Sequence, residues 1–169
     1  MKKIVFSVVL IVLLTPYAFA ALKINDTAPT ISLPDREGKE FSLSDVVGAM
    51  RKERGNGVVL SFFASWCMPC RNELPLLNSF VDELKGKSIK VVIVGVREDF
   101  DKIGALLTEL KIDKPIVLSD RSGKMSEMYE VRFLPMTFFI GSDGKVKDMI
   151  FGEIGDATEL RNSAEKLVK

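Results

Sequence analysis

The sequence contains no histidine and only two cysteines, Cys67 and Cys70. The first absence excludes Ser-His and Cys-His catalysis, histidine-ligated haem and the common zinc ligand sets. Two cysteines alone cannot complete a tetrahedral zinc site within one chain, so no metal and no cofactor is expected. An excess of one charge is also missing. The formal net charge is +1, which leaves no electrostatic footprint for nucleic acid. No internal repeat or low-complexity tract is present.

What is there fits one globular domain. The chain has 169 residues, 47% hydrophobic and 28% charged, which argues against disorder. A domain of this size buries roughly 70% of its unfolded surface and folds without disulfide staples. A bridge between cysteines three positions apart would constrain the unfolded chain little. Stability is therefore a weak reason for the pair.

The first twenty residues read as a targeting segment. Met1-Lys2-Lys3 is basic, Ile4 to Leu14 is almost wholly apolar, and Ala18-Phe19-Ala20 has the small-x-small form of a cleavage site. Cleavage after Ala20 is expected, with residues 21–169 as the folded domain. The alternative is an uncleaved anchor, against which the short apolar run argues, since a spanning helix needs about twenty residues. Cleavage would remove two lysines and take the net charge from +1 to about −1. Residence is then periplasmic or otherwise extracytoplasmic, where a CxxC pair is oxidised unless something reduces it.

Ala21 to Leu43 reads as extended chain with a turn at Pro34-Asp35-Arg36-Glu37-Gly38. Ser44 to Met50 is expected as a short helix. Val58 to Phe63 is an apolar run of the kind buried on both faces of a sheet, and it leads directly to the cysteines. A helix then runs to about Lys85, with Leu74, Leu77, Val81 and Leu84 on one face and Gly86 as its stop. Pro75 lies inside it and should kink it. Further strands are expected at Lys90–Val96, Pro115–Leu118, Met136–Ile140 and Val146–Phe151. The last two flank the turn residues Ser142-Asp143-Gly144. Asp99 can cap a helix carrying Phe100, Ile103, Leu106, Leu107 and Leu110, and Lys124–Tyr129 reads as a short helix. Asp156 and Glu159 have capping-box spacing for a last helix running to the C-terminus. The alternation predicts an α/β layer structure with a mixed sheet.

The position of the cysteine pair carries the chemistry. A helix N-terminus presents free N–H groups and about half a positive charge, both favouring thiolate over thiol. About 2 kcal/mol of such stabilisation brings a thiol from about 8.5 to about 7, where attack on disulfides is efficient. Cys67 is expected as the exposed nucleophile and Cys70 as the resolving thiol. Pro69 suits a helix start. Met68 is uncharged and flexible, fit to contact partners. The competing readings are a structural disulfide or half of a metal site.

Two stretches, Phe62-Phe63-Ala64-Ser65-Trp66-Cys67-Met68-Pro69-Cys70-Arg71-Asn72-Glu73-Leu74-Pro75 and Tyr129-Glu130-Val131-Arg132-Phe133-Leu134-Pro135-Met136-Thr137-Phe138, resemble the TlpA/ResA-like branch of the thioredoxin family. The resemblance spans about Ile24 to Val168. It implies a thioredoxin fold: a central mixed β-sheet flanked by helices, an N-terminal β extension, and a helix–strand insertion from Asp99 to near Ile116. It implies a cis peptide bond before Pro135, against a trans proline at a strand start, with the Leu134 backbone pairing to an incoming peptide. Trp66 would shield the disulfide or simply pack. Glu73, three residues after Cys70, would take a proton from it during resolution, or else be an ordinary surface glutamate. Trp66, Met68, Leu134 and Pro135 are thus the expected substrate-binding residues, and Cys67, Cys70 and Glu73 the catalytic ones.

Two departures from the family pattern matter. Ser61 stands where thioredoxin has a buried aspartate, so proton transfer must use Glu73 or water. Met136 stands where the cytochrome c maturation branch often has an acid. The expected function is an exported reductase of protein disulfides, with apocytochrome c among possible substrates. It would act as a monomer recharged by an upstream membrane thiol-reducing protein. The alternatives are a disulfide-forming oxidant and a non-catalytic binding module on the same fold. A thiol peroxidase ranks lower, because it needs a peroxidatic cysteine outside a CxxC pair.

Overall fold

In a computed structural model, residues 22–168 are described, and the expected targeting segment lies outside them. A small antiparallel ribbon comes first, β1 (Ser32–Pro34) and β2 (Glu40–Ser42), followed by α1 (Leu43–Val46). The rest alternates: β3 (Gly57–Phe63), α2 (Met68–Gly86), β4 (Ile89–Val96), α3 (Phe100–Leu110), β5 (Ile116–Asp120), α4 (Lys124–Met128), β6 (Met136–Gly141), β7 (Val146–Phe151) and α5 (Ala157–Glu165). The five-stranded sheet has the order β5-β4-β3-β6-β7. β3, β4 and β5 are parallel; β6 and β7 are antiparallel to their neighbours. This is the thioredoxin arrangement with an N-terminal extension, α3 and β5 forming the inserted pair.

β3 lies at the sheet centre, and all seven of its residues are buried. Alternation sends Val59 and Phe63 to the face covered by α2, α3 and α5, and Val58, Leu60 and Phe62 to the other. On the first face Leu74, Leu77, Phe80 and Leu84 of α2 and Ile103, Leu106 and Leu107 of α3 fill the core. Each such side chain contributes roughly 1.5–3 kcal/mol by leaving water. Gly95 admits α3: a Cβ there would lie 2.3 Å from Ile103 Cδ1. On the second face the N-terminal segment closes the core. Ile31, Leu43, Val46 and Val47 cover an aromatic trio of Phe62, Tyr129 and Phe138. Single bridges tie this segment to both flanks of the sheet, Asp35 to Leu118 and Thr27 to Lys145.

Three local expectations change. The first helix is one turn, Leu43–Val46, instead of Ser44–Met50, because Val47 is extended and buried and the Gly48 N–H donates to the Ser142 carbonyl. Gly86 is the last helical residue and not the stop. The left-handed residue that ends α2 is Ser88, at φ 56°. The last helix ends at Glu165; Asp156 caps it as expected, accepting from the Thr158 and Glu159 N–H groups, and only the return bond of Glu159 differs, reaching Gly155 N–H instead of Asp156 N–H. Among the described residues no helix is long and apolar enough to cross a membrane.

Candidate active site

β3 ends inside the sheet, and Ala64-Ser65-Trp66 carries the chain to Cys67 at the cap position of α2. The turn is tight: Cys67 N–H donates to the Ala64 carbonyl at 3.1 Å, and Arg71 N–H to the Cys67 carbonyl at 3.1 Å. Cys67 and Cys70 form a disulfide with Cα atoms 5.3 Å apart. Cys70 N–H points at Cys67 Sγ, 3.2 Å away, so the sulfur occupies the place of a capping oxygen. Pro69 sits in the first turn, where an acid is absent, so no negative charge there cancels the helix's positive end.

Cys67 is less exposed than expected. It is 4% exposed against 1% for Cys70, because the neighbouring groove walls and the bridge itself cover the sulfur. Only Cys67 of the two faces the groove, an open depression of about 580 Å³ whose walls include Trp66, Met68, Arg97, Phe133 and Leu134. Trp66 is 75% exposed, so it forms a wall and is not packed in the core. The Leu134–Pro135 bond is cis. Leu134 packs against the cluster holding both cysteines, and the Pro135 carbonyl accepts the Gly152 N–H at 2.9 Å. The structure thus brings Trp66, Cys67, Met68 and Leu134 to one groove and leaves Pro135 buried behind it.

Glu73 is not a surface residue. It is 2% exposed, on the buried side of α2 with Cys70. Its Oε1 accepts from Ser61 Oγ at 3.0 Å and Thr137 Oγ1 at 3.3 Å, and its Oε2 accepts the Ile154 N–H at 2.9 Å. Burial pushes its carboxyl above the ordinary value, against the pull of these three donors. Ser61 is therefore not a blank position. The carboxylate that β3 lacks is supplied by α2 and held by the serine.

Two buried acids escaped the sequence reading, Asp120 at the end of β5 and Glu98, and only Glu98 holds the chain next to the cysteines. Glu98, 5% exposed, follows β4 and accepts from Ser65 N–H at 2.7 Å and Ser65 Oγ at 2.5 Å. The only signal in the sequence is a charge directly after an apolar strand, where thioredoxin-like sheets place their functional ends.

A family model described as the AhpC/TSA family matches residues 24–149. The chain belongs to the AhpC/TSA family. Thiol-disulfide oxidoreductase ResA of Geobacillus thermodenitrificans (strain NG80-2) is 34% identical over 132 residues, 78% of this chain and 71% of that protein. ResA of Bacillus subtilis (strain 168) is 31% identical over 130 residues, covering 77% and 68%. A Chlorobium tepidum chain assigned as thiol:disulfide interchange protein DsbE is 28% identical. It superimposes with a TM-score of 0.75, over 88% of this chain and 100% of its own. Within the AhpC/TSA family this is a ResA/DsbE-like protein thiol–disulfide oxidoreductase, and its partners are protein thiols and disulfides.

Proposed function

We propose that this AhpC/TSA-family oxidoreductase works outside the cytosol as a reductant, with Cys67 attacking, Cys70 resolving and Glu73 accepting the proton. The Cys67 thiolate attacks a substrate disulfide, a mixed disulfide forms, and one substrate thiolate leaves. Cys70 then gives its proton to Glu73, attacks Cys67 Sγ and expels the second substrate thiolate, which takes up the proton. The substrate gains two electrons and the enzyme is left with the Cys67–Cys70 bridge. A membrane thiol-reducing protein would restore the dithiol.

The observation that carries this reading is Glu73: a buried carboxylate on the Cys70 side of α2, anchored by three donors and with its pKa raised. Such a group binds a proton more readily than an exposed carboxylate does. Trp66, Met68 and the Leu134–Pro135 segment would hold the substrate peptide, and apocytochrome c before haem attachment is a candidate. The protein would act as a monomer. Residues 1–20 would be the signal segment and 21–169 the working domain.

Cys70→Ser should stall substrates as mixed disulfides on Cys67, and mass spectrometry of the trapped species names the partners. A Cys70→Ser protein that traps nothing, while wild type still reduces disulfides, would sink the assigned order of the thiols. The direction of electron flow is read from the reduction potential in glutathione buffers. A value well below the about −120 mV of a strong oxidant is expected, and a value near it would make the protein a disulfide-forming oxidant.

A further inference from the structure

β4 leaves the sheet at Val96, and the next residue, Arg97, takes a left-handed backbone conformation at φ 56°. A non-glycine residue stays there only where its surroundings hold it. Here the Arg97 N–H donates to the Asp120 carbonyl at 2.9 Å, and its guanidinium donates to Glu127 of α4 at 2.8 Å. The turn directs Glu98 inward. Both Glu98 carboxylate oxygens then fall on one residue, Ser65, gripping its N–H and its hydroxyl. The Glu98 carbonyl in turn accepts the Ser119 hydroxyl of β5 at 2.6 Å.

A carboxylate is costly to bury, and local packing at this strand end does not require one. The two bonds it makes fix the backbone and side-chain rotation of a single residue. That residue is two positions before Cys67, in the four-residue link 64–67 between β3 and α2. We infer that Glu98 is a positioning residue for the redox reaction. It clamps the Ser65–Trp66 link, sets Cys67 against the groove, and transmits the placement of the inserted strand β5 to the attacking sulfur through Ser119. The inference rests on Cys67 being the attacking thiol.

The test is steady-state reduction of insulin disulfides by the dithiothreitol-charged protein, with circular dichroism to check folding. Glu98→Ala should lower kcat about tenfold, since small misplacements of a reacting group are costly, and leave KM within about twofold. Glu98→Gln keeps an acceptor for the Ser65 N–H and offers a donor to the hydroxyl, so it should recover most of kcat. A folded Glu98→Ala protein with unchanged kcat overturns the inference. So does a Glu98→Gln protein no better than Glu98→Ala, because charge and not the clamp would then matter. Where Glu98→Ala does not fold, Ser65→Ala removes only the hydroxyl bond. A several-fold fall in kcat supports the clamp and an unchanged kcat rejects it. Cys67→Ser run alongside separates the two readings. Retained activity there rejects the role of Cys67, whereas its loss beside an unaffected Glu98→Ala rejects the clamp alone.

Discussion

The two faces of the central sheet bury different things. The face under α2, α3 and α5 holds the disulfide and, behind it, the carboxylate of Glu73. The face under the N-terminal segment holds aliphatic side chains and three aromatics packed edge-on or tilted. Each face also has an acid against it, and their surroundings differ. Asp120, fully buried at the end of β5, accepts the Met125 and Ser126 N–H groups and so caps the nearby α4. Glu73 draws its three donors from β3, β6 and the segment after β7, none of them local in sequence. A carboxylate tied to local backbone stabilises its own helix. One suspended between distant elements, on the same side of α2 as a cysteine, is the group to which the proposed mechanism gives the proton transfer. The difference separates a face built for stability from a face built for chemistry.

The largest test of that separation is Phe138→Ala on the stability face. Phe138 lies 5.0 Å from Tyr129 and 5.8 Å from Phe62 between ring centroids. Its truncation should cost about 3–5 kcal/mol in urea denaturation, while the protein that remains folded reduces disulfides at nearly the wild-type rate. A parallel loss of specific activity would show that the faces are coupled.

Glu73→Gln on the other face should slow resolution about a hundredfold, read as a persisting mixed disulfide in rapid-quench samples. It also changes how stability depends on pH. Burial raises the folded carboxyl above its ordinary 4.5, so the folded state keeps a proton that the unfolded chain has lost. Stability from this group is complete below about pH 4.5 and is lost as pH rises through the folded value. The glutamine variant cannot ionise. Its stability relative to wild type should therefore rise as pH increases from about 4.5 through the folded value. Urea midpoints that run parallel across that range would remove burial as the cause.

The smallest effect expected is that of Tyr129→Phe. The buried Tyr129 hydroxyl donates to the Pro29 carbonyl at 2.7 Å and pins the N-terminal segment. Removing it should cost about 1 kcal/mol and leave reductase activity intact. Faster amide exchange confined to residues 28–31 would identify the segment released.

Much of this was legible beforehand. Val58–Phe63, Lys90–Val96 and Met136–Ile140 are apolar runs, and buried central strands leave few other options for them. Asp99 caps α3 as its side chain predicts, accepting the Lys102 N–H at 3.2 Å. Cys67 and Cys70 stand out by their spacing at one helix start, and Glu73 by the family motif that the stretch around them resembles. The stop of α2 and the partner of Glu159 differ by a residue or two within the local chain, whereas the larger differences involve contacts distant in sequence. The core on the second face draws Val47 out of the helix that its local sequence favours, and the groove walls cover Cys67 where its spacing alone predicts exposure. Glu98 was invisible because its partner Ser65 lies 33 residues away.

Residue types and short-range spacing alone determined the sulfur chemistry, the helix that begins at it and the strands that frame it. These depend on backbone hydrogen bonding and periodicity within a few residues. Only tertiary structure decided how far the sulfur is covered, which serine holds which carboxylate, and which acid has its pKa raised. Those outcomes depend on desolvation and on donors that chain folding brings from other strands.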